Sequence, residues 1–94
     1  MKNQEHLLCI VTDDDGQLFI HADAAGLDLL IKSLSNIRKR IDDNECEHDH
    51  LMTESWGGYG LTEAPACEKE GRIIHHIKIY SWTEEWVQKH RLMG

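Results

Sequence analysis

Leu7-Leu8-Cys9-Ile10-Val11-Thr12-Asp13-Asp14-Asp15-Gly16-Gln17-Leu18-Phe19-Ile20-His21-Ala22-Asp23 decides the fold of this chain. Residues 7–12 form a compact apolar run ending in β-branched side chains, the pattern of a buried strand. Asp15-Gly16 tolerates the positive φ that a tight reversal demands, so residues 18–22 return as a second strand. That strand places Leu18, Ile20 and Ala22 on one face, with Phe19 and His21 on the other. Asp23 then offers a side-chain oxygen to cap a helix that begins at Ala24.

Leu27, Leu30, Ile31, Leu34, Ile37 and Ile41 recur at spacings of three and four, drawing one apolar stripe expected to lie on the sheet. Arg38, Lys39 and Arg40 occupy the last turns, where the helix dipole favours cations, and Asn44 can close the helix in a left-handed conformation. Residues 48–54 read as a third strand. Three glycines between 57 and 60 enforce a loop around Trp56 and Tyr59. Pro65 blocks a helix across residues 61–70 and confines any strand there to an edge. Residues 72–82 read as one strand, with Ile73, Ile77 and Ile79 on its core face and Ile74, Lys78 and Tyr80 opposite. Thr83 caps a final helix, with Trp82 placed to pack on Val87. The expected architecture is α+β: a small, mostly antiparallel β-sheet with one long helix packed on a face and a short C-terminal helix.

A length of 94 residues leaves room for one domain, residues 1–94. Seventeen acids against ten bases give a formal charge of −7, which argues against nucleic acid or an anionic membrane as partner. No run approaches the ~20 apolar residues that cross a bilayer, and the first six residues lack the order of a secretory leader. A cytoplasmic chain is expected. Cys9, Cys46 and Cys67 are odd in number and widely spaced, so no disulfide framework is expected.

Cys46-Glu47-His48-Asp49-His50 is the local cluster that most suggests chemistry. In an extended segment Cys46, His48 and His50 point the same way, and thiolate and imidazole suit zinc, with His75 or His76 as a fourth ligand. Cys46 and His48 also read as a nucleophile and its base. A small metal-binding or hydrolytic protein built on these residues is therefore the alternative reading. Its spacing does not match common zinc sites, and nothing supplies an oxyanion hole. The acidic turn fails as a calcium loop, because with Gly16 at the sixth position Val11 and Ala22 take the first and twelfth. Ser55 lacks a G-x-S-x-G setting, and Leu61-Thr62-Glu63 follows the glycines where a phosphate loop needs Lys and Ser or Thr. No catalytic, cofactor-binding or metal residue is assigned, no cofactor is expected, and the chain does not read as an enzyme.

Charge placement is more informative. Asp42, Asp43, Glu45, Glu47 and Asp49 put five acids into eight residues without a base, and Glu54 and Glu63 continue the bias. A solvated surface explains such a run; the sharper reading is a docking face for a basic protein. Trp56 and Tyr59 lie close enough in sequence to anchor it. Core packing is the competing reading for both rings, and the stronger one for Trp56.

Ala22-Asp23-Ala24-Ala25-Gly26-Leu27, then His48-Asp49-His50-Leu51-Met52-Thr53-Glu54-Ser55-Trp56-Gly57-Gly58, then Leu61-Thr62-Glu63, resemble the immunity protein 32 group. These are small α+β proteins encoded beside the toxins of bacterial polymorphic toxin systems. The resemblance spans about residues 5–82 and leaves out the final helix. It implies a non-enzymatic inhibitor that binds a cognate toxin domain and blocks its active site or substrate surface. It licenses no catalytic residue. The free chain is expected to be a monomer or, through an uncovered edge strand, a homodimer.

Overall fold

Strand β1 (Leu8–Thr12) is covered on both faces and bonded along both edges. Leu8 and Ile10 pack with Leu51 and Leu61 beneath the long helix, while Cys9 and Val11 pack with Cys67 on the opposite side. β2 (Leu18–Ala22) pairs antiparallel with β1, from Leu8↔Ala22 to Thr12↔Leu18. The computed structural model describes residues 6–90, so expectations for residues 1–5 and 91–94 lie outside it. The reversal between β1 and β2 uses residues 13–17. Asp13 Oδ1 accepts from the backbone N–H of Asp15 (2.9 Å) and Gln17 (3.0 Å), and Gly16 alone in the turn takes a positive φ, 84°.

The fold is α+β, with the strands in two three-stranded sheets, β2-β1-β5 and β4-β3-β6. β3 is Glu47–Thr53, β4 Gly60–Leu61, β5 Arg72–Ile73 and β6 His76–Ser81. All pairings are antiparallel except β3 with β4. Backbone bonds stitch the sheets together: Thr62 N donates to Leu8 O (2.8 Å), Ile74 N to Ile10 O (2.8 Å) and Thr53 N to His75 O (2.9 Å).

The expected single strand over residues 72–82 is therefore corrected. The chain pairs with β1 at Ile73, leaves the ladder at residues 74–75, and pairs with β3 from His76 onward. The break reverses the alternation of faces. Ile74 joins Ile77 and Ile79 against the Leu8–Ile10 cluster, whereas Ile73 turns to Cys9, Val11 and Cys67. Pro65 also does more than block: it opens a short 3-10 helix, Pro65–Glu70, because a proline at the first helical position gives up no needed hydrogen bond.

Helix α1 (Ala24–Asp42) starts as its sequence dictates. Asp23 accepts from Gly26 N (2.8 Å) and Leu7 N (3.0 Å), and its own N–H donates to Leu7 O (3.1 Å). Asn44 takes the left-handed conformation past the helix end, φ 61°. The apolar stripe is only half covered. Ile37 is buried and Leu29, Leu30 and Ile41 are half-buried, but Leu27, Ile31 and Leu34 are 48%, 58% and 43% exposed. On β2, Leu18 and Ile20 are likewise exposed, and only Ala22 from that face reaches the core. Helix α2 (Glu84–Lys89) is capped by Thr83, whose Oγ1 accepts from Trp86 N (3.2 Å). No helix among the described residues is long and apolar enough to cross a membrane.

Candidate functional site

β3 separates the two groups of residues that the sequence places on one docking face. Seven extended residues span about 20 Å. Asp42, the last residue of α1, and Asp43 and Glu45 in the turn after it lie before its start; Glu54, Trp56, Tyr59 and Glu63 lie beyond its end.

At the first end, Asp42 and Glu45 are exposed but paired, with Arg38 Nη1 2.9 Å and Arg40 Nη1 3.0 Å away. Glu47 and Asp49 alternate toward α1. Asp49 accepts from the Ser33 hydroxyl, and Glu47 is bound through its backbone to the Ser81 side chain. The start of β3 thus divides the five-acid run: Asp42, Asp43 and Glu45 precede the strand and face solvent, while Glu47 and Asp49 on it are half-buried.

At the second end, Trp56 is 59% and Tyr59 70% exposed, so neither ring is core. Trp56 lies flat against the His75 ring, centroids 5.3 Å apart and planes within 1°, leaving its other face to solvent. Thr53 Oγ1 holds His75 Nδ1 at 2.8 Å. Glu63 Oε1 accepts from the Ser55 hydroxyl (2.6 Å), and its Oε2 stands 4.0 Å from His75 Nδ1. The glycines allow this path. Gly57 and Gly60 adopt φ of 81° and 110°, and Gly58 passes so close to Met52 that a Cβ there would collide with it.

The outer face of β3 and β6 carries the histidines. His50 Nδ1 lies 2.9 Å from His76 Nε2, His48 meets His50 edge-on, and Tyr80 continues the row beside His48. Desolvation first, then His48, Lys78 and His76, holds the His50 imidazole below its usual pKa. Cys46 does not join this face. It precedes β3 and turns to Thr83, whose N–H donates to its Sγ at 3.5 Å. Among the described residues no group of three His, Cys, Asp or Glu is placed to hold a metal ion. Burial and then Cys9 push the Cys67 thiol up to about 11, which keeps it protonated at neutral pH.

A further concavity lies elsewhere. A shallow groove of about 710 Å³ runs between α1 and β6, walled by Ile31, Leu34 and Ile41 on one side and by Ile79, Trp82 and Val87 on the other. Sequence reasoning missed it by assigning the whole helix stripe to the core. The available signal was the breadth of that stripe, since Leu27, Ile31 and Leu34 extend it well around the helix from Ile37.

The profile of the Immunity protein 32 family matches residues 17–77, about two-thirds of the chain. The chain belongs to that family. No curated protein and no solved structure matches it. For an immunity protein the relevant chemistry is recognition of a toxin partner, and membership favours a binding protein over an enzyme. The matched region begins after β1 and takes in β2, α1, β3 and the aromatic loop. It stops short of Tyr80, Trp82 and α2, which complete the groove.

Proposed function

We infer that this immunity protein neutralises a cognate bacterial toxin by binding its toxin domain in the cytoplasm and covering the active site or substrate surface. Family membership carries this reading. Two surface features support it: the solvent-facing acids Asp42, Asp43 and Glu45, and the exposed rings of Trp56 and Tyr59 beside Glu54 and Glu63. Their separation of about 20 Å fits within one interface, because a standard contact buries roughly 800 Å² on each partner. Glu47 and Asp49 then act mainly by holding β3 against α1 and Ser81 rather than by direct contact.

Binding kinetics with the purified toxin domain test the reading. Changing Asp42, Asp43 and Glu45 to Asn and Gln should slow association and flatten its salt dependence, since rim charges act on encounter. Tyr59→Ala should speed dissociation, costing about 2 kcal/mol if the ring is an anchor. A toxin domain that ignores the wild-type chain would end the reading. Unchanged kinetics in either variant would remove that end of β3 from the interface.

A further inference from the structure

β6 is the terminal strand of the β4-β3-β6 sheet, and the direction of its free backbone groups follows from the ladder. Met52 N donates to Tyr59 O (2.9 Å), so Met52 faces β4 and its neighbours Leu51 and Thr53 face β6. Leu51 pairs with Ile77 and Asp49 with Ile79. The alternate residues Lys78 and Tyr80 therefore aim their N–H and C=O away from β3, and they meet no backbone partner among the described residues.

The groove lies along the Ile79–Ser81 half of this strand. Its α1 wall includes Ile31 and Leu34, apolar side chains left 58% and 43% exposed. The next strand of a sheet sits about 4.8 Å from the last, and a helix with side chains is about 10 Å across. α1 is thus wide enough to roof one strand more than the chain supplies.

We propose that a strand of the toxin domain adds to the open edge of β6, filling the groove beneath Ile31 and Leu34. This rests on the immunity reading above and names how the partner is held. Main-chain bonds to Lys78 and Tyr80 would fix its register, and alternate apolar side chains would enter the groove. Charge selects the partner. Arg38 lines the groove and is paired with Asp42, 2.9 Å away, so the acids next to the Trp82 end are Asp43, just past α1, and Glu84 and Glu85 in the first turn of α2, which suits a strand bearing Lys or Arg there. A second copy of this chain would bring another −7 against the same acids.

The test uses the toxin domain encoded beside this chain, purified from the complex, and three variants. Lys78→Pro removes the outward N–H, which no internal bond uses, so edge position preserves the fold. Lys78→Ala keeps that N–H while removing the same side chain. Ile31→Lys with Leu34→Lys makes the roof polar. Lys78→Ala should bind within about threefold of wild type, whereas Lys78→Pro and the double variant should each lose about 30-fold or more. Hydrogen exchange at the Lys78 and Tyr80 amides should slow in the wild-type complex, a readout that stands even if Lys78→Pro fails to fold. Equal binding by Lys78→Pro and Lys78→Ala, or unprotected edge amides, would overturn the proposal while leaving the immunity reading intact. A free chain that sediments as a dimer, and as a monomer in the Lys78→Pro form, would also overturn it by assigning the edge to a second copy. Failure of the wild type to bind the toxin domain would sink both.

Discussion

β1 and β6 are both apolar strands in contact with the sheet core, yet they end in opposite conditions. β1 has neighbours on both edges, and Leu8, Cys9, Ile10 and Val11 are at most 2% exposed. β6 has one bonded edge, a half-buried inner face and a helix flank beside it that remains in water. α1 joins the two regions and reflects both. Its N-terminus is clamped to Leu7 by two hydrogen bonds through Asp23, whose carboxylate also accepts from Gly26 N, while its flank at Ile31 and Leu34 lines the groove. Where the apolar pattern is fully covered it supplies stability. Where it exceeds what the chain can cover, the surplus is surface available to a partner.

The most severe test of that division compares two leucines. Leu8→Ala removes a side chain with no exposure and should destabilise the fold by about 2–5 kcal/mol. Leu34→Ala, on the overhanging flank, should stay within about 0.5 kcal/mol. Urea denaturation of both variants reads the difference. Equal losses would mean that the flank is part of the core after all, and the contrast between the strands would disappear.

How much of this was legible in the sequence depends on whether a feature is local. The Asp23 and Thr83 caps, the hairpin, the extent of α1 and the left-handed Asn44 are fixed by side chains within a few residues, and all are found where the sequence puts them. What covers a face is not local. Periodicity marks Leu18, Ile20, Leu27, Ile31 and Leu34 as apolar but cannot say that the chain lacks a further strand to lay on them. The break at residues 74–75 was hidden because Ile73-Ile74 offers an apolar residue to either face. The candidate site divides in the same way. Proximity in sequence grouped five acids, and the alternation of β3 then turned Glu47 and Asp49 toward α1. Trp56 is held outside by stacking on His75, a residue nineteen positions away.

A smaller effect probes the clamp itself. Alanine is a better helix former than glycine by about 1 kcal/mol, so Gly26→Ala on an exposed helix would stabilise it. Here Gly26 is buried, and a Cβ would overlap the Leu7 carbonyl. Gly26→Ala should therefore destabilise, by about 1 kcal/mol or more, as the helix shifts off β1. A rise in melting temperature would show that α1 is no more tightly seated at Leu7 than at its overhanging flank.

The smallest expected effect separates the two helix caps by pH. The backbone N–H of Leu7 and then that of Gly26 hold the Asp23 carboxyl below its usual range. A carboxyl with a lowered folded pKa stabilises the fold above its unfolded value of about 3.9, and that contribution is lost as pH falls through the folded value. Asp23→Asn keeps a capping oxygen but cannot titrate. The stability gap between wild type and Asp23→Asn should then be largest at pH 7 and close as the solution is acidified below about pH 4. Thr83 caps α2 through a hydroxyl that exchanges no proton in this range, so Thr83→Ala should cost about 1 kcal/mol at either pH. Urea midpoints at pH 7 and pH 3 distinguish the two. A gap for Asp23→Asn that stays constant across that interval would show that the charge of Asp23 does not help to clamp α1 at Leu7, leaving shape alone to hold the helix at its β1 end.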